Sequence, residues 1–410
     1  MIEATIGRII ERVNALSLPG PGYTRPSYSP LETEAHAVIA AEAERLAMAV
    51  THDAAANLFA RLPGRDRAAP PLYVGSHLDT VPMGGAYDGV AGAMALAAAF
   101  VESGETPPVD LIVTVTRAEE SVWFPVSYIG SRAALGLLTA PELEARRIDT
   151  GETLAEHMRR EGGDPDAVLK GPGLAAATFV EMHIEQGPVL HKAAEPFALV
   201  TGVRGGLRYR NARVDGVWAH SGGAPREERA DAVFALADLV TALDRHWAAI
   251  LAKGDDLAVT FGRIDAASSE HAFAKVPGNA AFCVDIRSGH DAVLDRMDSI
   301  LKEEIAAIEA RRGVIFTLGA QSRSKPAALS AGLNTRIAEG AARIGRSPRH
   351  MLSGGGHDAA AFASAGWDAA MLFLCNWNGS HNPHEAMREA DLALAVRTLA
   401  ATFGDRQAKQ

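Results

Sequence analysis

Residues 71–100 read PLYVGSHLDTVPMGGAYDGVAGAMALAAAF, and the order of residue types within them points to the architecture. The apolar run PLYV (71–74) has the look of a short buried strand. His77 and Asp79 stand two apart just past its end, so extended chain puts both side chains on one face. A glycine-rich turn follows, and Asp88 stands immediately before an Ala-rich segment that predicts a helix over 89–103. Strand, polar loop and helix in this order form one unit of an open α/β sheet. The stretch also offers an imidazole, a carboxylate beside it and a second carboxylate at a helix start, which is how a metal site begins.

Working outward, strands are expected at 56–62, 71–76, 109–116 and 177–184, with helices near 32–50 and 129–138 between them. The alternation predicts an α/β layer with helices on both sheet faces. The charged segment EARRIDTGETLAEHMRREGGDPDAV reads as surface helix and loop. After residue 205 the pattern changes. Alternating strands (LRYRNARVDGVWAHS, LAVTFGRIDA, NAAFCVDIRS, VIFTLGAQSR) are joined by two long amphipathic helices, which predicts a small antiparallel sheet with both helices on one face. The expected organisation is a discontinuous catalytic domain, 1–205 and 326–410, interrupted by a smaller α+β domain at 206–325.

A chain of 410 residues exceeds one ordinary core, which agrees with two domains. The net charge of −10 and the lack of a Lys/Arg cluster argue against a nucleic-acid surface. No apolar run reaches the roughly 20 residues a membrane span needs. The N-terminus has an amphipathic 3.6 period rather than the basic start and apolar core of a secretory signal. Only two cysteines occur, Cys283 and Cys375, so neither a disulfide framework nor a thiolate zinc site is expected. A cytoplasmic enzyme is the expected class.

Three other strand ends carry acid or imidazole groups. Glu119 and Glu120 follow VDLIVTVT; His183 lies in ATFVEMHIEQG with Glu181 and Glu185 on the same face; His381 and His384 follow AAMLFLC. In an open α/β sheet the functional residues gather past the carboxyl ends of strands. Neutral imidazole together with carboxylate suits Zn²⁺, and also Mn²⁺, Co²⁺ or Ni²⁺. A two-metal site needs a bridging carboxylate, and an adjacent Glu pair lets one side chain bind metal while its neighbour takes a proton. Asp79 is placed to orient the His77 imidazole.

The runs GSHLDTVPMGGAYDGVAG, AEESVWFP, FVEMHIEQGPVL, SGGGHDAAAFA and GSHNPHEA together resemble the amidase/hydantoinase/carbamoylase family. That family is a branch of the dinuclear-metal aminoacylase and carboxypeptidase superfamily, and the resemblance runs from about residue 70 onward. It implies two divalent ions per subunit: His77, Asp88 and His183 on one, Asp88, Glu120 and His381 on the other, with Asp88 bridging. It implies Glu119 as general base, Asp79 as the carboxylate that orients His77, and a metal-held hydroxide that attacks the carbonyl of a ureido or amide group. His220, in WAHSG, matches the His that helps hold the scissile carbonyl, and Arg287, in VDIRS, the Arg that clamps a substrate carboxylate. His357, in GGGHD, either lines the pocket or holds nearby loops. The inserted domain is expected to close over the substrate and to form a homodimer contact.

Three departures bear on the substrate. Gly206 stands where the family has Gln, Ala274 where it has Asn, and Trp123 where it has Arg. Arg204 and Lys275 lie close by in sequence and are expected to replace the lost polar contacts. The leading expectation is hydrolysis of an N-carbamoyl or ureido acid, a small molecule. Left open beside it are an N-acyl amino acid deacylase or dipeptidase on the same metal site, a non-catalytic binding protein, and a zinc-stabilised scaffold.

Overall fold

The amphipathic start of the chain forms α1 (Ile2–Asn14), which buries Ile6, Ile9, Ile10 and Val13. The computed structural model describes residues 2–87, 92–267 and 269–404. Helix α2 (Pro30–Arg45) begins at Ser29, whose hydroxyl accepts from Glu32 N–H, with Pro30 at the first helical position where no amide hydrogen is needed. It ends sooner than expected: Ala47 takes φ 56° and Ala49–His52 forms an edge strand, β1. That strand is mostly solvent-facing, so it carries no hydrophobic alternation by which to foresee it.

Strands β2 (Leu58–Leu62) and β3 (Leu72–His77), helix α3 (Gly92–Ser103) and strand β4 (Leu111–Thr116) follow. Helix α4 (Ile129–Ala134) is shorter than its sequence pattern suggests. The charged segment folds into α5 (Ala140–Leu143), α6 (Leu154–Arg160) and α7 (Pro165–Val168). Strand β5 (Thr178–Ile184), helix α8 (Val189–Ala193) and strand β6 (Phe197–Val203) complete this part.

The next segment holds β7 (Gly205–Asp215), β8 (Ala219–His220), α9 (Ala232–Leu251), β9 (Ala258–Asp265), β10 (Lys275–Val276), β11 (Asn279–Ser288), α10 (Asp291–Arg312), β12 (Ile315–Thr317) and β13 (Gln321–Ser324). Thereafter come β14 (Ala327–Ala328), α11 (Ala331–Arg343), β15 (Arg349–Ser353), α12 (Asp358–Ser364), β16 (Asp368–Leu374) and α13 (Glu389–Phe403). The chain divides into two compact units, Met1–Gly202 with Ala328–Gln410, and Val203–Ala327.

In the first unit the strand order is β1-β2-β4-β3-β5-β16-β6-β14, with β15 also on β6. The four central strands, β4, β3, β5 and β16, run parallel. Their carboxyl ends therefore share one edge, which brings His77, Glu119, His183 and the chain after Leu374 to the same end of the sheet. Alternation sorts the side chains: Leu72, Val74, Val180 and Met182 pack with α1, α3 and α13. On the other face Phe179 stacks on Phe362 of α12 at 3.8 Å, and Tyr73 packs edge-on to Trp367. Both faces are covered, as parallel sheets require.

The second unit is a five-stranded antiparallel sheet, β12-β7-β11-β9 with β13 on β7. Alternate residues of β11 (Ala280, Phe282, Val284, Ile286) enter a core with Leu236, Leu239 and Leu243 of α9 and Leu294, Met297 and Leu301 of α10. Both helices thus cover one face. Among the described residues no helix is long and apolar enough to cross a membrane.

His36 of α2 is buried, and among the described residues neither ring nitrogen has a hydrogen-bond partner. Burial lowers its pKa well below the usual imidazole value, with Arg117, His52 and Arg25 adding to the drop. The unfolded chain binds this proton near pH 6.5 and the folded one far less readily, so stability is full above that pH and falls as acid is added. The slope is about 1.4 kcal/mol per pH unit for one proton. Replacing His36 with Phe is expected to flatten the pH 6.5–5 limb of a stability profile by that slope, measured by urea titration at stepped pH.

Candidate active site

The loop after β4 carries Glu119 and Glu120, and two buried carboxylates hold its backbone. Glu32 accepts from Ala118 N–H at 2.9 Å, and Asp79 accepts from Glu119 N–H at 3.0 Å and Glu120 N–H at 3.1 Å. Ala118 sits at φ 53°, the left-handed conformation that lets consecutive amides turn toward these anions. Arg117 compensates the buried Glu32 charge at 3.0 Å, and it also reaches Thr33 Oγ1 at 3.0 Å and the Ala56 carbonyl at 3.2 Å.

Asp79 is fully enclosed. Besides the two amides it accepts the Ser27 hydroxyl at 2.5 Å and His77 Nδ1 at 3.2 Å. Burial acts to raise its pKa, but the hydrogen bond and charge of His77, with Ser27 and the Glu119 amide, outweigh it and hold the carboxyl below its ordinary value. Ser27→Ala removes the only hydroxyl on Asp79 among the described residues. It is expected to lower turnover about tenfold by loosening the carboxylate that aims His77, with the Michaelis constant unchanged in steady-state assays.

The His77 Nδ1 contacts, to Asp79 Oδ1 and to the Asp79 carbonyl at 3.0 Å, are with oxygens that only accept. Nδ1 therefore carries the proton and Nε2 the lone pair. The same holds for His183, whose Nδ1 lies 2.9 Å from the Ile184 carbonyl. The two rings stack at 5.8 Å between centroids. At His381, φ is 58°, and the Gln186 side-chain amide donates to Nε2 at 3.1 Å. All three imidazoles thus present Nε2 as the basic atom.

His77 Nε2 lies 3.9 Å from Glu119 Oε2, and His381 Nε2 3.6 Å from Glu120 Oε1. Burial pushes the Glu119 carboxyl well above the usual carboxylate range, His77 opposing and Glu120 adding to the rise. The donors fit a pair of divalent ions by type and tautomer. Among the described residues, though, no three of His, Cys, Asp or Glu close on one point as a cage. Asp88, the expected bridge, lies outside the described residues.

Other expected residues have definite places. His357 is buried, with Nε2 2.9 Å from Ser353 Oγ and its ring 4.3 Å from that of His183. In the second unit His220 is exposed and stands opposite Lys275 in the β8–β10 ladder. The Lys275 ammonium donates to the Glu270 carbonyl at 2.9 Å and lies over the Trp218 ring. Arg204 is taken up by Asp256, with Nε 2.8 Å from Oδ2. Arg287 donates to Asp285 Oδ2 from Nε at 2.9 Å and Nη2 at 2.8 Å. Trp123 is buried and donates to the Thr80 carbonyl at 2.7 Å, behind the His77–Asp79 loop.

Sequence reading missed Ser27, Glu32, Arg117 and Asp358. Asp358 is fully buried, accepts the hydroxyls of Ser131 at 2.5 Å and of Thr116, and stands near Glu181. Glu181 accepts from Ala359 N–H at 2.8 Å; burial first and Asp358 next raise its pKa to about 7, with His183 opposing. Asp358 directly follows His357 in GGGHD, and that adjacency was the available signal. Gly85 serves Glu385: a Cβ there would lie 2.1 Å from Glu385 Oε1, which accepts from Tyr87 N–H at 3.2 Å.

Residues 73–405 match the model of peptidase family M20/M25/M40. The chain belongs to this family. Allantoate amidohydrolase of Escherichia coli K12 is 31% identical over 389 residues, covering 93% of this chain and 92% of that protein. An N-carbamoyl-L-amino-acid amidohydrolase of Paenarthrobacter aurescens is 29% identical over 388 residues, covering 93% and 92%. Among solved structures, a hydantoinase/carbamoylase family amidase of Burkholderia multivorans superposes with a TM-score of 0.88 at 27% identity, covering 98% of this chain and 97% of that one. The resemblance read from the motifs is thereby met, and this M20-family chain is an enzyme, a hydrolase of C–N bonds.

Proposed function

We propose that the protein hydrolyses a C–N bond of an N-carbamoyl or ureido acid, releasing ammonia. The observation that carries this reading is the gathering of His77, Glu119, Glu120, His183 and His381 at one end of four parallel strands, with every imidazole presenting Nε2. Amidohydrolase relatives along nearly the whole chain support it.

His77 and His183 would hold one divalent ion, Glu120 and His381 the other, with Asp88 shared. When bound, such ions supply positive charge that polarises the scissile carbonyl and acidifies the attacking water. Glu119 takes the proton of that water and delivers it to the departing nitrogen, so one carboxyl serves as base and then as acid. Its neighbours fix its position: the Asp79 and Glu32 carboxylates hold three successive amides, so the Glu119 backbone moves little as the proton passes. Asp79 keeps the His77 proton on Nδ1. Arg287 is the group suited to a substrate carboxylate, since a guanidinium donates two parallel hydrogen bonds, and His220 the one suited to the scissile carbonyl.

We extend the proposal to a cytoplasmic homodimer paired through the second unit; its two cysteines, Cys283 and Cys375, are unpaired, as a reducing compartment favours. The test is ammonia release by purified protein reconstituted separately with Zn²⁺, Mn²⁺, Co²⁺ and Ni²⁺. The panel holds N-carbamoyl amino acids, β-ureidopropionate, allantoate and ureidoglycolate, with N-acetyl amino acids and dipeptides scored by free amine. Ammonia from a ureido acid is the expected result. Free amine from the acyl or peptidyl compounds alone would overturn the reading in favour of a deacylase or dipeptidase. Light scattering in the same preparation reads the dimer.

A further inference from the structure

Gly206 and Arg208 lie on one face of β7, two residues apart and opposite to the face that packs on α9 and α10. In register, Arg208 stands across from Asp285 of β11 and Ser322 of β13, while Gly206 stands across from Arg287 and Ser324. A Cβ built on Gly206 would lie 2.7 Å from Arg208 Nη2 and 2.9 Å from its Cζ. The Arg208 guanidinium therefore fills the volume that any side chain at 206 would claim. It lies over the strand in the space that the glycine at 206 leaves open.

That placement has a chemical result. Arg208 Nε lies 3.1 Å from Asp285 Oδ1, and Arg287 Nε and Nη2 bind Asp285 Oδ2 at 2.9 and 2.8 Å. Two guanidiniums thus share one carboxylate, and the group keeps one positive charge. Arg208 is a quarter exposed, and among the described residues its Nη1 and Nη2 have no hydrogen-bond partner. Ser322 Oγ, directly across the ladder, is buried and has no hydrogen-bond partner among the described residues. By contrast Arg204 is neutralised by Asp256, and the Lys275 ammonium is occupied by the Glu270 carbonyl and Trp218. Arg204 therefore has its charge matched one to one, whereas Arg208 shares its carboxylate with Arg287.

We propose that Arg208 is a specificity-determining residue that binds the substrate carboxylate together with Arg287, in place of the side chain that Gly206 lacks. The inference rests on the amidohydrolase reading for the identity of the substrate. One carboxylate matches the single net charge of the Arg208–Asp285–Arg287 group, and the unpaired Nη1 and Nη2 donors supply hydrogen bonds that a neutral ligand group would not strengthen.

The experiment compares an acid with its own amide, N-carbamoyl-L-alanine against N-carbamoyl-L-alaninamide, in wild type, Arg208→Ala, Arg208→Lys and the double variant Gly206→Gln/Arg208→Ala. Arg208→Ala is expected to raise the Michaelis constant for the acid about tenfold to a hundredfold, with kcat within threefold and the amide unaffected. Arg208→Lys should recover part of the loss, and the Gln of the double variant should recover part by another route. Loss of acid and amide alike, or of neither, would overturn the proposal, the first outcome marking a purely structural role.

Calorimetric binding of both compounds to Glu119→Gln, with and without Arg208→Ala, separates the two levels of inference. If wild type turns over neither compound but acid binds more tightly than amide and loses that advantage with Arg208, the reaction reading fails and the carboxylate site stands. If acid and amide bind alike, or neither binds, the carboxylate site falls.

Discussion

Glu119→Gln is expected to lower kcat by a factor of about 10² to 10⁴, the usual worth of a positioned general base, while leaving the fold and the Michaelis constant near their wild-type values. The expectation comes from what the substitution keeps. Glu119 is anchored through its backbone N–H on Asp79, which a Gln at 119 retains. The side chain is nearly isosteric, and burial already disfavours charge at this position, so a neutral amide imposes no new desolvation cost. What is lost is the ability to take and return a proton. Ammonia release under saturating substrate, with a thermal melt and a metal analysis on the same sample, checks it. A loss under tenfold would remove Glu119 from the role of base.

The second large effect is on stability. Arg117→Met is expected to cost about 3–5 kcal/mol, because it leaves the Glu32 carboxylate buried without its counter-charge. Glu32 and Arg117 are both almost wholly enclosed, and burial raises the Glu32 pKa, with Arg117 the main opposing influence. In a melt this amounts to a fall on the order of 10 °C. The double variant Glu32→Gln/Arg117→Met should recover a good part of the loss, since the orphaned charge is gone. If the single and double variants melt together, the pair carries no such coupling. The same change should reduce activity, because Glu32 also holds the amide directly before Glu119.

The parallel core of the sheet was legible because each of its strands is an apolar run closed by a polar loop. The site residues at its carboxyl edge were legible for the same reason: His77, Glu119, His183 and His381 all follow such runs. The support behind them was not. Ser27 reaches Asp79 across 52 residues, and Glu32 reaches Arg117 across 85. Nothing in the run SYSPLE marks those side chains as more than the start of a helix, and both the motif resemblance and the family match begin only after residue 70. The placement of Arg208 was hidden too. Sequence showed that Gly206 lacks a side chain, but only the ladder register shows which neighbour takes its place. Arg204 and Lys275, nearer in the reading of motifs, are held by Asp256, Glu270 and Trp218.

The two ends of the second unit meet within that unit: Gly206 at the start of β7 is the ladder partner of Ser324 at the end of β13. On the side of the first unit, Thr201 accepts from Leu329 N–H at 3.1 Å. The sheet of the first unit has to bring together strands that lie more than a hundred residues apart in the chain, a long closure if the intervening segment were loose. Once β7 and β13 pair, that separation shrinks to the few residues flanking them. Early assembly of the inserted sheet would therefore shorten the effective contact order of the larger unit.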